Sequence, residues 1–254
     1  MNKAHDRAVM KKVEEHYKYI ASKYPEHQIL GVFLYGSQNY ETDTISSDVD
    51  TKAIIIPTLE DLCFRKVVSK EEHLPNGEHC EVKDIREMVN NFRKQNINFI
   101  EILFTKYKIV NPKYATLWEK YFVSQREDIA HYNPQKALYS TSKQATHTLK
   151  QDLNDGKKVG NALRLELFLE RYKSGSKYAE CLVPLPRDIA YIKDLKTGFA
   201  EVDSKEVKQL MDYFMLQCTL AEQYLPNLAL QEKVDTLMNE GVMQLVKELN
   251  IDFK

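Results

Sequence analysis

The chain has 254 residues, and its 36 Lys and Arg residues nearly balance its 37 Asp and Glu residues, which leaves a formal net charge of −1. At ~150 residues per domain, this length allows one large domain or two small ones. The near-neutral balance excludes binding to nucleic acid or to an anionic membrane through overall charge alone. With 8 glycines and 8 prolines, the composition also excludes a collagenous or low-complexity chain.

Targeting and cross-linking signals are weak in this sequence. No apolar run approaches the ~18 residues that a membrane span needs, and residues 1–20 lack the apolar block of a signal peptide. The four cysteines are far apart and form no Cys-x-x-Cys pair, so the sequence predicts neither a disulfide framework nor a cysteine zinc site. We therefore expect a soluble, cytoplasmic protein that does not contact a membrane.

The first part of the chain predicts alternating helices and strands. Apolar residues at helical spacing predict helices, and short β-branched runs bounded by Gly or Pro predict strands. The predicted elements are helices over 8–20 and 85–92 and strands over 29–35, 49–56 and 79–83. A Pro-Asn-Gly turn at 75–77 precedes the last of these strands, and the nearby His73 and His79 are interpreted as hairpin residues.

After about residue 110 helical patterns dominate. The predicted helices cover 115–130, 135–154, 158–173, 187–197, 204–225 and 228–249. We therefore predict an α+β (mixed α/β) fold, with a small mixed sheet in a domain of residues 1–110 and an α-helical domain of residues 111–254.

The segment with the clearest chemistry joins two predicted strands. Gly36-Ser37 follows the strand over 29–35, and Asp48-Val49-Asp50 opens the next strand. Because side chains two apart on a strand share a face, Asp48 and Asp50 should project together while Val49 packs into the core. Gly36 would let a phosphate approach the backbone, and the Ser37 hydroxyl could donate a hydrogen bond to it.

Two neighbouring carboxylates repel each other, and a divalent cation removes that cost. Mg²⁺ prefers hard oxygen ligands and usually keeps substrate phosphates in its coordination shell. Each half of the motif alone is more typical of a plain turn or a solvated strand edge than of a nucleotide site. The order of strand, Gly-Ser, loop, strand and Asp-x-Asp favours a nucleotide-binding metal site instead.

The segment LYGSQNYETDTISSDVDTKAIII resembles the signature of the DNA-polymerase-β-type nucleotidyltransferases, and most closely that of the RNA-ligase-associated predicted nucleotidyltransferases. The matching positions are Gly36, Ser37, Tyr40, Thr44, Ser47, Asp48 and Asp50. The chain departs from the family at Glu41 and Ala53, where glycine is usual. A family His…Arg-Leu pattern is matched only by Arg164-Leu165, without the histidine.

The resemblance implies a minimal nucleotidyltransferase domain that uses an NTP as substrate and two Mg²⁺ ions held by Asp48, Asp50 and a third carboxylate. Such ions, ~3.5–4 Å apart, activate the attacking hydroxyl and stabilise the leaving pyrophosphate. Glu81, on a strand that could neighbour Asp50, is the first choice for the third ligand and catalytic residue. Glu101, which lies in an apolar run, is the alternative.

Basic residues recur every seven positions in the helical part, at Lys136, Lys143, Lys150, Lys157, Arg164 and Arg171. Most of these residues fit an exposed helix face. Arg164 stands at a family motif position, so we expect it to bind the nucleotide together with Gly36 and Ser37. Lys143 is the second candidate.

These observations predict a Mg²⁺-dependent transfer of a nucleoside monophosphate from an NTP to a hydroxyl acceptor. The family's association with RNA ligases implies an RNA end, such as that of a tRNA, as one acceptor, and a protein side chain or a small alcohol would use the same metal chemistry. A non-catalytic nucleotide or RNA sensor on the same scaffold is the alternative. A third hypothesis is a helical interaction protein that binds no nucleotide, and the sequence predicts no particular protein partner or oligomeric state.

Overall fold

The computed structural model describes residues 3–250, and its first part is built around one five-stranded sheet. The strands are β1 (Ile29–Tyr35), β2 (Asp50–Ile55), β3 (Ser69–His73), β4 (His79–Asp84) and β5 (Lys108–Val110). Their order in the sheet is β3-β4-β2-β1-β5. β2 and β4 run parallel and the other pairs are antiparallel, so the sheet is mixed, as the sequence predicts.

Helices accompany the sheet in the first part of the chain. These are α1 (Lys3–Lys23), α2 (Leu59–Cys63), α3 (Ile85–Arg93) and α4 (Ile97–Ile100). The predicted helix over 8–20 therefore extends further at both ends, and the predicted helix over 85–92 is confirmed. Asp84 accepts a hydrogen bond from the Arg86 N–H and caps α3, which fixes where β4 ends and the helix begins.

The second part of the chain is helical. Its elements are α5 (Ala115–Trp118), which continues as a π-turn over Glu119–Val123, and then α6 (Arg126–Ala130), α7 (Pro134–Gln151), α8 (Gly156–Lys173), α9 (Tyr178–Leu182), α10 (Pro186–Thr197), α11 (Ser204–Leu220) and α12 (Leu228–Asn250). The mixed α/β fold with a helical C-terminal part is thus confirmed. The division into domains at residue 110 stays a prediction, and the larger buried cluster contains residues from both parts.

The two faces of the sheet pack against different partners. Ala53 and Ile55 of β2 join Val13 of α1 in one buried cluster, whereas Ile54 joins the larger cluster shared with the helices. Because side chains alternate along a strand, Asp50 shares the face of Ile54. The carboxylate therefore points towards the helical part of the molecule.

Two glycines set the distance between α8 and α10. A Cβ at Gly156 would lie 2.1 Å from the Leu195 carbonyl oxygen, and one at Gly160 would lie 3.3 Å from that of Ile192. The helices therefore approach at backbone contact, which larger residues would prevent. This packing brings the N-terminal half of α8 beside the C-terminal end of α10. Among residues 3–250, no helix combines the length and the apolar character that crossing a membrane requires.

Candidate functional site

The turn after β1 places Gly36 beside Asp50. Tyr35, the last residue of β1, pairs with Asp50 in the sheet register. Gly36 has a φ of 94°, in the left-handed region that favours glycine. A Cβ there would lie 3.4 Å from Asp50 Oδ2, so the absence of a side chain leaves the carboxylate open to the turn.

Glu101 accepts hydrogen bonds from this turn and fixes its position. The Gly36 N–H and the Asn39 side-chain amide both donate to Glu101 Oε2, each at 3.1 Å. Glu101 is fully buried, and this burial raises the pKa of its carboxyl group to about 6. Glu101 thus anchors the short 3₁₀ turn Ser37–Tyr40 and leaves Ser37 to line the cleft above it.

Glu41 ends the same turn in an unusual backbone conformation. Its φ is 60° and its ψ is 18°, which is left-handed geometry. Only glycine, and occasionally Asn or Asp, adopts this conformation routinely, because a Cβ crowds the following carbonyl. The usual glycine of the resembling family thus has a structural explanation, and in this chain the turn forms with Glu41 in its place.

A cleft of about 230 Å³ lies above this turn, between the sheet and four helices. The sheet side contributes Gly36, Ser37, Asp48 and Asp50, and the loop before Asp48 adds further hydroxyl groups. The helical side contributes Asn98 of α4, Gln144 and Thr148 of α7, Lys157, Asn161 and Arg164 of α8, and Lys196 of α10. Five of the sequence-predicted site residues therefore line one cavity: Gly36, Ser37, Asp48, Asp50 and Arg164.

Asp48 and Asp50 occupy different positions on the sheet side. β2 begins at Asp50, so Asp48 lies in the preceding loop and not on the strand that the sequence predicts. Val49 is 2% exposed and packs into the core behind them, as predicted. Burial raises the pKa of Asp50, His79 opposes this shift, and the negative charge of Asp48 adds to it. His79 Nε2 lies 3.2 Å from Asp50 Oδ1.

The carboxylate pair fits a hard divalent cation. Asp48, Asp50 and the Ser37 hydroxyl supply oxygen donors to one cleft, and burial together with the charge of Asp48 raises the pKa of Asp50. Mg²⁺ binds proteins through one or two carboxylates together with substrate phosphates. Within residues 3–250, no group of three or more His, Cys, Asp or Glu side chains is arranged to hold a metal by itself.

Glu81 has a different partner. Its Oε1 lies 2.9 Å from Lys52 Nζ and accepts a hydrogen bond of 2.8 Å from the Tyr35 hydroxyl. Lys52 is almost fully buried, with its ammonium 3.6 Å from the Tyr35 ring centroid and 4.5 Å from that of Phe99. Burial acts to raise the pKa of Glu81, but the charge and hydrogen bond of Lys52, together with the Tyr35 hydroxyl and the charge of Lys83, outweigh it and the pKa is lowered.

Neither candidate for the third carboxylate lines the cleft with Asp48 and Asp50. Glu81 neutralises the buried Lys52, and Glu101 holds the Gly36 turn. Both acids therefore have structural partners that account for their positions. The assignment of Glu81 as a catalytic metal ligand stays a prediction.

Arg164 is a buried cation with unused donors. It is 5% exposed, and its guanidinium carbon lies 3.8 Å from the centroid of the Tyr40 ring. Its Nε and Nη1 atoms are buried and have no hydrogen-bond partner. Because a buried, unsatisfied charged donor is costly, this arrangement favours a ligand that accepts hydrogen bonds and carries negative charge.

Lys196 reaches the cleft from α10 and also contacts the loop before Asp48. Its Nζ donates to the Thr42 carbonyl at 3.0 Å and lies 3.1 Å from the Thr42 hydroxyl. Burial lowers the pKa of Lys196 to about 8, with a further contribution from the positive charges of Arg164 and Lys157. In residues 3–250, none of these three cations forms an ion pair with a carboxylate.

Sequence reasoning missed Lys196, and the structure places Lys143 elsewhere. Lys143 is exposed on α7, with its ammonium 5.3 Å from the Tyr139 ring centroid, while its neighbour Gln144 lines the cleft. A ligand role for Lys143 stays a prediction. Lys196 lies in a predicted helix but in no motif, and its position depends on the close packing at Gly156, which the sequence shows only as an isolated glycine.

A second cavity, of about 540 Å³, lies on the other side of the loop over 36–44. Four of the charged residues around it are paired with one another: His5 lies 3.5 Å from Asp43, and Asp6 lies 2.9 Å from Lys106. Asp48 and Asp50 do not line it. The smaller cleft is therefore the better candidate site, although it has less than half the volume.

Comparison with known proteins gives little further guidance. No protein-family model matches this chain, and no curated protein matches it. Among solved structures, a nucleotidyltransferase-like protein from Exiguobacterium sibiricum 255-15 aligns with a TM-score of 0.30 and 14% sequence identity. That alignment covers 94% of this chain and 74% of the other.

Proposed function

We propose that this protein is a Mg²⁺-dependent nucleotidyltransferase that transfers a nucleoside monophosphate from an NTP to a hydroxyl acceptor. One observation carries the proposal: two carboxylates line a single cleft beside the Gly36-Ser37 turn, together with three cations that form no ion pair with a carboxylate among residues 3–250. The carboxylates are Asp48 and Asp50, and the cations are Lys157, Arg164 and Lys196.

The charge distribution matches a metal-bound triphosphate. A triphosphate is polyanionic and accepts many hydrogen bonds, which suits the two unpartnered donor nitrogens of Arg164 and the ammonium of Lys196. The carboxylates on the opposite wall would repel the phosphates unless a divalent cation lay between them. A cleft of about 230 Å³ is smaller than the ~300 Å³ at which ordinary ligand pockets begin, so we place the phosphates and metal inside and the base towards the mouth.

The chemistry that the residues can support is positioning and charge neutralisation. Bound Mg²⁺, which we expect as two ions held by Asp48 and Asp50, would supply Lewis acidity to the α-phosphate and lower the pKa of the attacking hydroxyl. Ser37 orients the phosphates from the turn, while Arg164, Lys157 and Lys196 neutralise the negative charge that develops on the departing pyrophosphate. The resemblance of the motif to RNA-ligase-associated proteins makes an RNA end the first acceptor to test.

Label transfer from each of the four α-³²P-labelled NTPs, with Mg²⁺ and a pool of tRNA, oligonucleotide and small-alcohol acceptors, tests this proposal. We expect transfer by the native protein and a loss on the order of 10³-fold in Asp48→Asn and Asp50→Asn, because the cation would be lost. Asp43→Asn is the matched control, since Asp43 lies in the same loop but pairs with His5. Equal transfer by all four proteins would refute the proposal.

A nucleotide sensor without catalysis is the second candidate, and the position of Glu81 favours it. Because Glu81 pairs with Lys52, the cleft holds two carboxylates where the resembling family has three. This alternative predicts that the protein binds NTP with Mg²⁺ but transfers no label to any acceptor. The same experiment distinguishes the two functions when nucleotide binding is measured alongside transfer.

A further inference from the structure

The peptide group between Asp48 and Val49 is held on both sides by buried side chains. Gln38 Nε2 donates to the Asp48 carbonyl oxygen at 2.7 Å. The N–H of the same peptide group, which belongs to Val49, donates to Glu78 Oε1 at 3.3 Å. Gln38 is 6% exposed and Glu78 is 4% exposed, so neither contact competes much with water.

Glu78 is itself fixed by a polar network behind the sheet. Its Oε2 lies 3.1 Å from His16 Nε2 and accepts from Asn76 Nδ2 at 2.8 Å, and Lys12 pairs with its Oε1. The other ring nitrogen of His16 lies 2.7 Å from the Thr51 hydroxyl. The network therefore contacts Val49 and Thr51, the two residues that flank Asp50 in sequence and face away from the cleft.

The position of Asp48 explains why such supports are needed. β2 and its ladder of hydrogen bonds begin at Asp50, so no sheet partner fixes the backbone of Asp48. Side-chain hydrogen bonds take over that function at the Asp48–Val49 peptide group. Burying a charged group such as Glu78 is costly, and apolar residues of similar size would generally stabilise a core as well or better.

We propose that Gln38 and Glu78 are positioning residues that set the direction of the Asp48 carboxylate relative to Asp50, and so the affinity of the pair for a divalent cation. This inference rests on the proposed function, because it assumes that the pair holds a cation with a nucleotide. Groups that orient metal ligands typically change metal affinity or activity by about 10- to 100-fold when they are removed. Neither residue is assigned a contact with the nucleotide.

The test separates the metal-dependent part of nucleotide binding from the rest. The probe is α,β-methylene ATP, whose α–β bridge is not cleaved in nucleotidyl transfer, and its Kd is measured by calorimetry in EDTA and in Mg²⁺. The Mg²⁺-dependent ratio is the Kd in EDTA divided by the Kd in Mg²⁺. We expect this ratio to fall about tenfold in Gln38→Met and Glu78→Gln. The Kd in EDTA should stay within twofold of the native value, because Arg164, Lys157 and Lys196 are unchanged.

Gln95→Met is the matched control for Gln38→Met. Gln95 is 1% exposed, and its Nε2 donates to the carbonyls of Phe92 and Ile129 at 2.8 and 2.9 Å, outside the cleft lining. This variant also removes a buried glutamine amide from a backbone carbonyl, so its stability should fall at least as much. The Mg²⁺-dependent ratio in Gln95→Met should equal that of the native protein.

All variants are compared well below their melting temperatures, measured without ligand. If Glu78→Gln does not fold, Gln38→Met decides, since it removes the single contact to Asp48. The inference would be overturned if the Mg²⁺-dependent ratio of folded Gln38→Met stayed within twofold of the native ratio, or if its Kd in EDTA increased instead. Either result would leave the proposed function standing. A native protein whose two Kd values are equal would overturn both.

Discussion

The two walls of the cleft are built in different ways. On the sheet wall, Asp48 and Asp50 belong to one short segment, and the chain order places them beside the Gly36 turn. On the helical wall, Lys157 and Arg164 come from α8 and Lys196 comes from α10, and glycines at the contact let these helices approach closely. One wall is a local motif, and the other is a product of tertiary packing.

The walls also differ in how their charges are satisfied. Lys157 acts through space to lower the pKa of Asp50, yet no ion pair crosses the cleft among residues 3–250. Opposite charges that face each other without contact leave room for a ligand that carries both signs. A metal–triphosphate complex has this character, with its cation towards the carboxylates and its phosphates towards the basic side chains.

The largest effect on the helical wall is expected from Arg164→Met. Losing charged hydrogen bonds worth about 1.5–3 kcal/mol should weaken NTP binding about 10- to 100-fold. Since the guanidinium is buried with two unpartnered donor nitrogens, the melting temperature should stay the same or rise. Nucleotide titration and thermal unfolding measure both quantities.

Arg171→Met is the control on the same helix. Arg171 Nη1 donates to the carbonyls of Glu180 and Val183 at 2.8 and 2.5 Å and does not line the cleft. This variant should lose stability and keep its nucleotide affinity. An equal loss of affinity in both variants would show that the effect of Arg164 is not specific to the cleft.

An intermediate effect is expected from Gly156→Ala, which disrupts the packing of the helical wall without changing a charge. The new Cβ would lie 2.1 Å from the Leu195 carbonyl oxygen, so α8 and α10 must separate. Overpacking of this kind costs about 1–3 kcal/mol of unfolding free energy. We expect NTP affinity to fall several-fold as Lys196 moves away from Arg164.

Gly160→Ala provides the graded comparison. Its Cβ would lie 3.3 Å from the Ile192 carbonyl oxygen, so a smaller shift suffices. Urea unfolding and nucleotide titration should place this variant between the native protein and Gly156→Ala. The reverse order would contradict the packing account of the helical wall.

The smallest effect concerns pH. Because the pKa of Lys196 is lowered to about 8, its ammonium is largely charged below that pH and loses its proton as the pH rises through it. NTP affinity in EDTA should therefore fall a few-fold between pH 7 and pH 9. Lys196→Met should bind more weakly at pH 7 and show a flatter profile. If Lys196→Met showed the same dependence of NTP affinity on pH as the native protein, the titration would belong to another group.

The sheet wall could be predicted from sequence because its signals are local. The apolar run over 29–35, the Gly-Ser turn and the Asp-x-Asp spacing together specify which residues meet. The residue of this wall that the sequence misplaces is Asp48, which is predicted on the strand but lies before β2. The polar loop over 38–47 gives no indication of where the hydrogen-bonded ladder starts. Gln38 and Glu78 support that residue from distant positions that no motif marks.

The helical wall could be predicted only in part. Arg164 stands out through its motif position, whereas Lys196 belongs to an ordinary amphipathic helix. Glu81 shows the converse limit, because an acidic residue on a neighbouring strand is predicted as a metal ligand before its cross-strand partner is known, and that assignment stays a prediction. That partner, Lys52, is a buried lysine inside an apolar strand, and the sequence does not reveal that it pairs with Glu81.

The central claim is that one cleft holds both the cation and the phosphates, and a crystal structure with Mn²⁺ and α,β-methylene ATP tests it most directly. We predict anomalous density for Mn²⁺ at the carboxylates of Asp48 and Asp50, with the phosphates directed towards Arg164 and Lys196. Nucleotide bound in the larger cavity beyond the loop over 36–44, or Mn²⁺ bound away from both aspartates, would contradict the account.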